Sequence, residues 1–277
     1  MNFFNPHLTA VLSLALLLPA VALADPKSDA YEFGKEGIAA AKNKQWDKAI
    51  DLFQKAVKAQ PNEADNHNNL GLAFKNAGKM EEAIKAFSGA IEAEPGNSAA
   101  YVNRGVVYTS EQKYDKAIAD LDKAIQLNPN STAAYRFRAF AYLQMKDYKK
   151  AVDDYDVVLK EKGDDLAILD RRAFALWNLK EYDKAIADFT RIIKDKPKDK
   201  EGYLDRSYVY ELKGDHDNGI ADCDKVLSLD PTNEDAKTRK ARLEYKKNAA
   251  NATPTPTPTA RPRRTLPPEA TPTPKPK

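Results

Sequence analysis

The chain has 277 residues, of which 31% are charged, and a mean hydropathy of −0.65. A compact single domain of this length usually has more apolar residues, so the composition favours an elongated architecture. The net charge of +3 is uneven: residues 250–277 carry +4, residues 1–24 have no charged side chain, and residues 25–249 are close to neutral at −1. This balance does not favour nucleic acid as a partner, and the single cysteine, Cys223, excludes an internal disulfide framework.

The N-terminal segment 1–24 has the pattern of an export signal peptide. Residues 8–18 are an apolar run of suitable length, and Ala22-Leu23-Ala24 matches the small-x-small cleavage pattern before Asp25. The preceding segment MNFFNPH lacks Lys and Arg, so an uncleaved N-terminal anchor is the alternative. Because an exported chain with one cysteine is typical of the bacterial periplasm or cell envelope, we expect the mature protein there.

A 34-residue period dominates the central part of the chain. It is marked by recurring prolines, Pro61, Pro95, Pro129, Pro197 and Pro231, with Gly163 at the one missing place in the series. The period predicts six units within residues 30–231, numbered 1 to 6, with the bounds 30–63, 64–97, 98–131, 132–165, 166–199 and 200–233. Small residues recur in register in both halves of every unit, which predicts two helices in close contact.

Each unit consists of two amphipathic segments, which together predict an antiparallel helical hairpin. In unit 3, Ala117, Leu121, Ala124 and Ile125 follow the i, i+4, i+7, i+8 spacing of one helix face. Unit 2 has a characteristic order of aromatic, Leu-Gly, aromatic, Ala, Phe, Ala and Pro, carried by His67, Leu70, Gly71, Phe74, Ala83, Phe87, Ala90 and Pro95. This order, repeated in phase, resembles the tetratricopeptide repeat (TPR) family.

The resemblance implies an all-α protein, a right-handed superhelical solenoid of six 34-residue helix-turn-helix repeats. Residues 25–29 would form a short N-terminal lead, and the charged segment 234–249 would be the C-terminal capping helix that a stack of hairpins needs at its open end. Residues 250–277 contain nine of the seventeen prolines and alternate Thr with Pro, which predicts a disordered basic tail.

Arginine and aspartate recur as pairs at a constant spacing in units 3 to 6. The pairs are Arg104 with Asp120, Arg138 with Asp154, Arg172 with Asp188, and Arg206 with Asp222. Unit 2 has Leu70 and Ala86 at these two places, so the residues appear together and are absent together. Because the two positions lie at the same height on antiparallel helices, we predict a structural ion pair across each of these hairpins. The residues leave open whether the partner is in the same unit or the next, and ligand binding by Arg104 is the alternative.

Residues suited to catalysis or metal binding are few and isolated in the sequence. His67 and His216 are in different units and have no companion at metal-ligand spacing, and Cys223 occupies a packing position of its helix. We therefore expect no enzymatic activity, no catalytic residues, no metal site and no cofactor.

The resemblance also implies a concave binding surface lined by the first helix of each unit. Asn68, Asn69 and Asn103 would hydrogen-bond the backbone of an extended peptide. Anchoring side chains would come from units 4 to 6, namely Arg136, Phe137, Arg171, Phe174, Trp177 and Tyr208. The alternative is that several of these aromatic rings pack between neighbouring helices. The lysine and asparagine set with which some family members bind the C-terminal carboxylates of chaperones is not found in three consecutive units.

These observations predict a non-catalytic scaffold or adaptor that binds an extended segment or a helix of a partner protein in its groove. We expect no nucleic acid and no small-molecule substrate. The alternative function is a structural tether in the cell envelope, whose basic Pro-rich tail contacts an anionic polymer or membrane surface.

Overall fold

A computed structural model of the protein describes residues 25–249, and the predicted signal peptide and tail lie outside this range. The described chain is built of helices, each separated from the next by a short turn. They are α1 Pro26–Lys42, α2 Trp46–Ala59, α3 Ala64–Asn76, α4 Met80–Ala93, α5 Ser98–Ser110, α6 Tyr114–Leu127, α7 Thr132–Gln144, α8 Tyr148–Lys162, α9 Leu166–Asn178, α10 Tyr182–Asp195, α11 Lys200–Lys213, α12 His216–Leu229 and α13 Glu234–Ala249.

The helices form an all-α solenoid in which each packs mainly against its neighbours in sequence. Contacts that skip one helix join first helices of successive units: α1 with α3, α3 with α5 and α5 with α7, and α11 also contacts α13. The first helices therefore approach each other along one side of the stack. We call this side, formed by α1, α3, α5, α7, α9 and α11, the inner face.

The first helix begins at Pro26, four residues before the predicted start of unit 1 at Ala30. The side chain of Asp25 accepts a hydrogen bond from the backbone N–H of Lys27, and Pro26 lies in the first turn, where its missing N–H has no consequence. The predicted lead is therefore the N-cap and first turn of α1.

Close contact between the two helices of a hairpin explains the recurring small residues. A Cβ atom added at Gly71 would lie 2.6 Å from the ring of Phe87 on α4, closer than real carbon contacts. Ala83 on the facing helix is fully buried. The hairpin of unit 2 therefore depends on a glycine where the ring of one helix rests on the backbone of the other.

The turn inside every hairpin contains one residue with a positive φ, always at the same place in the unit. The six residues are Lys44, Gly78, Gln112, Lys146, Lys180 and Gly214, with φ between 57° and 83°. Only two of them are glycine, although this left-handed conformation is unfavourable for residues with a Cβ atom.

The capping helix α13 closes the C-terminal end of the stack. Ala236 and Leu243 are fully buried against the last hairpin, while most other side chains of α13 are polar. Among residues 25–249, no helix has the length and apolar character needed to cross a membrane.

Candidate protein-binding surface

The four arginine–aspartate pairs are two-point hydrogen-bonded contacts within each hairpin. In unit 3, Arg104 Nε donates to Asp120 Oδ2 at 2.7 Å, and Nη2 donates to Oδ1 at 2.8 Å. The same two atoms of Arg138, Arg172 and Arg206 bind the equivalent aspartate of their own hairpin at 2.6–2.9 Å. The structure thus brings all four sequence-predicted pairs together, each joining the first and second helix of one unit.

Each arginine also reaches back to the preceding unit through Nη1. Arg138 donates to Asp122 and Arg172 donates to Asp156, both at 2.6 Å. In the other two cases a hydroxyl accepts the bond at 2.8 Å, Ser88 for Arg104 and Thr190 for Arg206. The partner is therefore in the same unit and in the one before it, so each arginine fastens three helices together.

Capping helix α13 continues this arrangement with a different residue. Lys240 occupies in α13 the place that Arg206 holds in α11, and its Nζ donates to Asp224 of the preceding helix at 2.6 Å. The second connection, to an aspartate further along the chain, is absent because α13 is the last helix of the described chain. Lys240 Nζ also lies 3.7 Å from Glu244 Oε1 in its own helix. A lysine, which presents a single ammonium group, suits a position that makes no two-point pair with a following helix.

Two opposing effects act on these ion pairs. Burial raises the pKa of Asp154, Asp188 and Asp222, and the guanidinium hydrogen bonds partly reverse this. Hydrogen bonds to the aspartates raise the pKa of Arg104 and Arg138 above the usual value. Because a guanidinium stays protonated and both carboxylate oxygens accept bonds, we treat the groups as ion pairs whose attraction is partly offset by desolvation.

Aromatic rings cover the guanidinium groups in three of the four units. The guanidinium carbon of Arg104 lies 5.8 Å from the ring centroid of Tyr101 and 6.0 Å from that of Tyr108. Equivalent tyrosine pairs flank Arg138 and Arg206, whereas Arg172 has leucines at these places. The side chains of the paired arginines are only 17–19% exposed, so they are framework groups of the stack.

On the inner face of units 2 and 3, the predicted asparagines are half-buried and adjacent. Asn103 Nδ2 donates to Asn68 Oδ1 at 2.8 Å, which links α5 to α3. Asn69 is also half-buried. The structure thus brings the amides of Asn68 and Asn103 into contact, and Asn69 is the next residue of α3, with part of each of the three residues open to solvent.

In units 4 to 6, several side chains that were expected to line an accessible groove are buried. Phe137 is 1% exposed, Arg171 is 6% exposed and Trp177 is 9% exposed. Interpreting them as groove side chains available to a partner is therefore wrong. Of the predicted anchors in these units, Arg136, Phe174 and Tyr208 are half-buried and have part of their surface accessible.

The reason is an aromatic cluster centred on Trp177. Its ring centroid lies 4.9 Å from Phe174, 5.5 Å from Tyr208 on α11 and 6.2 Å from Phe189 on α10. Tyr148 continues the cluster, 6.3 Å from Phe174. The rings contact one another in tilted and edge-on arrangements and bury one another, so the alternative of inter-helix packing holds for the indole of Trp177.

Arginine side chains also cover the inner face of units 4 to 6, where their guanidinium groups lie over aromatic rings. The guanidinium carbon of Arg171 lies 5.3 Å from the ring centroid of Phe140, and that of Arg239 on α13 lies 5.1 Å from Tyr208. Arg136 stacks on the buried Phe137 at 5.1 Å. Cation–π contacts therefore cover the inner face of units 4 to 6, one within α7 and the other two between successive first helices.

Family comparisons agree with this helical repeat. Models described as tetratricopeptide repeat match residues 98–131 in one case, and residues 35–98 and 171–234 in another, which together make up more than half of the chain. The chain belongs to the tetratricopeptide repeat family. Residues 132–170 lie outside the matched ranges, yet residues 132–162 form the same TPR hairpin, α7 and α8.

Solved structures of other TPR proteins have the same fold. YrrB, described as a TPR protein with an unusual peptide-binding site, has a TM-score of 0.63 and 18% identity, covering 68% of this chain and 97% of its own. PilF of Pseudomonas aeruginosa has a TM-score of 0.62 and 18% identity, covering 78% and 98%. A TPR protein of Parabacteroides merdae has a TM-score of 0.60 and 21% identity, covering 80% and 90%. No curated protein matches the chain in sequence.

The three residues considered for catalysis, His67, His216 and Cys223, occupy positions in helices of the repeat. Nε2 of His67 lies 2.7 Å from the carbonyl oxygen of Pro61, and His216 is the first residue of α12. Cys223 is fully buried beside the Ser207 hydroxyl, and burial raises the pKa of its thiol. Residues 25–249 contain no group of three or more His, Cys, Asp or Glu arranged for a metal ion.

Sequence reasoning missed several charged residues of the TPR surface. Asp122 and Asp156 precede their arginines by the same offset that separates each arginine from its later aspartate. The offset that predicted the first set of pairs would therefore also have found the second. Lys75 and Glu211, at the same place of α3 and α11, are both buried. Because the two residues occupy the same position of the 34-residue repeat, that position could have been recognised from the sequence as one that holds a charged residue.

Proposed function

We propose that this TPR protein is a non-catalytic protein–protein interaction scaffold that binds an extended segment of a partner on the inner face of units 2 and 3. The observation that carries the proposal is the set of half-buried amides, Asn68, Asn69 and Asn103, at the junction of α3 and α5. Membership of a family of interaction scaffolds supports the general function.

The amide chemistry suits a peptide backbone. Each asparagine side chain offers two N–H donors and a carbonyl acceptor. The bond from Asn103 to Asn68 uses one donor and one acceptor lone pair, and it holds both side chains in place. Donors and acceptors in both amides remain for a partner, and the fixed orientation reduces the entropy lost on binding.

The contrast with units 4 to 6 narrows the proposed surface. There the inner surface of the first helices is covered by the Trp177 cluster and by arginine side chains that lie over aromatic rings. Phe174 and Tyr208 offer only the exposed edges of a packed layer, so they would extend an interface that begins at units 2 and 3.

Peptide selection on the immobilised protein tests the proposal. Peptides selected from a random library on residues 25–249 are measured by fluorescence anisotropy against wild type, the double variant Asn69→Ala/Asn103→Ala, and the full mature chain. Loss of one or two hydrogen bonds predicts affinity lower by about tenfold in the double variant. Asn62→Ala/Asn130→Ala, which alters two exposed turn asparagines, is the matched control and should leave affinity unchanged.

The outcomes separate the two functions considered for the chain. Equal affinity for wild type and the Asn69→Ala/Asn103→Ala variant would contradict binding on this face. Binding to anionic vesicles or polymer by the full chain, lost on removal of residues 250–277, together with no peptide selected on residues 25–249, would favour the tether.

A further inference from the structure

Lys75 is a buried lysine on the inner face that has no partner within the described chain. It lies on α3 and is 6% exposed. Among residues 25–249, no acceptor forms a hydrogen bond or an ion pair with its ammonium group. Burial lowers the pKa of Lys75, and no carboxylate counteracts the shift.

The repeat provides an internal comparison, because Glu211 occupies the same place in unit 6. Glu211 is buried too, and its carboxylate accepts hydrogen bonds from Arg242 at 2.7–2.8 Å and from Lys246 at 2.8 Å. Both cations lie on α13, the next first-helix position of the stack. The buried charge at this position of α11 is therefore neutralised by cations from α13, the helix that follows the hairpin of unit 6.

In unit 2 the corresponding partners are missing. At the same two offsets from Lys75, the chain has Val106 and Ser110 on α5. Val106 is 2% exposed, and the hydroxyl of Ser110 donates to the carbonyl of Val107 in its own helix. The positions of Arg242 and Lys246, which neutralise Glu211, are thus taken for Lys75 by the apolar Val106 and by Ser110, whose hydroxyl already donates a hydrogen bond within α5.

A lysine whose side chain is largely covered and whose ammonium has no counter-charge is unfavourable, so its presence at this position requires an explanation. Its position relative to the asparagines supplies one. Asn68, Leu72 and Lys75 follow the i, i+4, i+7 spacing of a single helix face, so Lys75 lies about 10 Å along α3 from Asn68. An extended peptide covers this distance in about three residues.

We propose that Lys75 binds the side-chain carboxylate of an aspartate or glutamate in the partner segment, about three residues from the part of its backbone that contacts Asn68 and Asn103. This inference rests on the proposed function and adds the chemistry of the partner. Helical spacing and the register of the repeat place the apolar residues Leu72 and Val106 next to this position, and apolar surroundings strengthen the attraction between opposite charges. A side-chain carboxylate fits better than a chain terminus, since no second free donor lies at the equivalent of Lys246.

Carbon-13 NMR of protein labelled at lysine tests the site without any selected peptide. The Cε signal of Lys75, assigned by its loss in Lys75→Met, is followed through a pH titration. The titration is repeated with N-acetyl-glutamate α-amide, which carries only a side-chain carboxylate, with its glutamine analogue, and with N-acetylglycine, which carries only a terminal one. We expect the glutamate probe to raise the pKa of Lys75 and the glutamine analogue to leave it unchanged.

The exposed Lys79, which pairs with Asp47, is the control and should not respond to any probe. No response of Lys75 to the glutamate probe at saturating concentration would overturn the proposal. An equal or larger response to N-acetylglycine would overturn the assignment to a side chain and favour a chain terminus.

A double-mutant cycle with any peptide selected on units 2 and 3 gives the second test. Replacing its acidic residue by the amide should lower the affinity of the wild-type protein by about tenfold and have little effect on Lys75→Met. Equal losses in both proteins would refute the contact. Sensitivity to Asn69→Ala/Asn103→Ala in the same assay keeps the groove proposal separate, because that result does not depend on Lys75.

Discussion

Arg138 holds Asp154 through two parallel hydrogen bonds of 2.8 Å and 2.7 Å, across the two helices of one hairpin. Its third nitrogen binds Asp122 of the preceding hairpin. Repetition of this arrangement in units 3 to 6 orients each hairpin relative to its neighbour. Because desolvation offsets much of the attraction, we attribute to these pairs a role in orientation more than a large gain in stability.

Breaking one pair should be more harmful than removing both partners. Arg172→Leu leaves the carboxylate of Asp188, which is 3% exposed, without its two hydrogen bonds and with only Arg191 Nη1, 3.9 Å away, as a cation. This change should lower the free energy of unfolding by about 3 kcal/mol. Arg172→Leu/Asp188→Ala, which copies Leu70 and Ala86 of unit 2, should recover most of this loss. Urea denaturation followed by circular dichroism measures both.

Asp156→Ala is the matched control for this cycle. It removes the partner of Arg172 whose side chain is 55% exposed, and should cost at most about 1 kcal/mol. If the single and double variants at Arg172 and Asp188 are equally destabilised, the paired arrangement has no special role and the interpretation fails.

The hairpin turns offer a route to a more stable protein. Gln112 and Lys180 have positive φ values of 58° and 63°, which glycine adopts without steric conflict. Gln112→Gly and Lys180→Gly should each raise the free energy of unfolding by about 1 kcal/mol. The measurement is the shift of the urea midpoint at unchanged slope.

Gly78→Ala tests the same explanation in the opposite direction, since Gly78 has a φ of 79° and open space around it. It should lose about 1 kcal/mol. A neutral or stabilising effect of Gly78→Ala would show that backbone strain at these turns is relieved in some other way.

The contact between Glu211 and the capping helix should depend on pH. Burial acts to raise the pKa of Glu211, but the hydrogen bonds from Arg242 and Lys246 outweigh it and lower the pKa. A carboxyl whose pKa is lower in the folded state stabilises the fold above its unfolded pKa of about 4.3, and loses this contribution as the pH falls through the folded value.

Glu211→Gln should therefore be less stable than wild type by about 1–3 kcal/mol at pH 7, with the difference shrinking below about pH 4.3. Urea midpoints measured from pH 7 to pH 3 give the comparison. Glu234→Gln, at an exposed pair with Lys237, should follow the wild-type pH profile. A difference that stays constant over this range would contradict the assigned role of Glu211.

The proposed export of the chain has a direct test at residues 22–24. Expressed with segment 1–24 in place in a Gram-negative host, the protein should be recovered from the periplasm with Asp25 as its first residue, because signal peptidase requires small residues at these places. Ala24→Leu should block processing, whereas Ala20→Leu, outside the small-x-small pattern, should not. Intact-mass measurement distinguishes the forms, and a full-length product from the unaltered chain would favour the uncleaved anchor.

The 34-residue period was sufficient to predict the six hairpins, because the positions of proline, glycine and alanine repeat in phase. It was also sufficient to place Arg104 opposite Asp120, since residues equally far from a hairpin turn lie at the same height. These inferences use distances along one helix or across one turn, where helical geometry relates sequence spacing directly to space.

Contacts between units required the tertiary structure, because the rotation of one hairpin against the next decides which helix faces are covered. Trp177 and Phe137 lie on faces that spacing alone allows to be open, and the packing of neighbouring units buries them. The same rotation brings Arg242 and Lys246 onto Glu211. In the register of the repeat, Val106 and Ser110 occupy the corresponding positions relative to Lys75. The amino-acid sequence by itself thus determined the hairpins and their ion pairs, and only the stacking of the units decided which side chains remain for a partner.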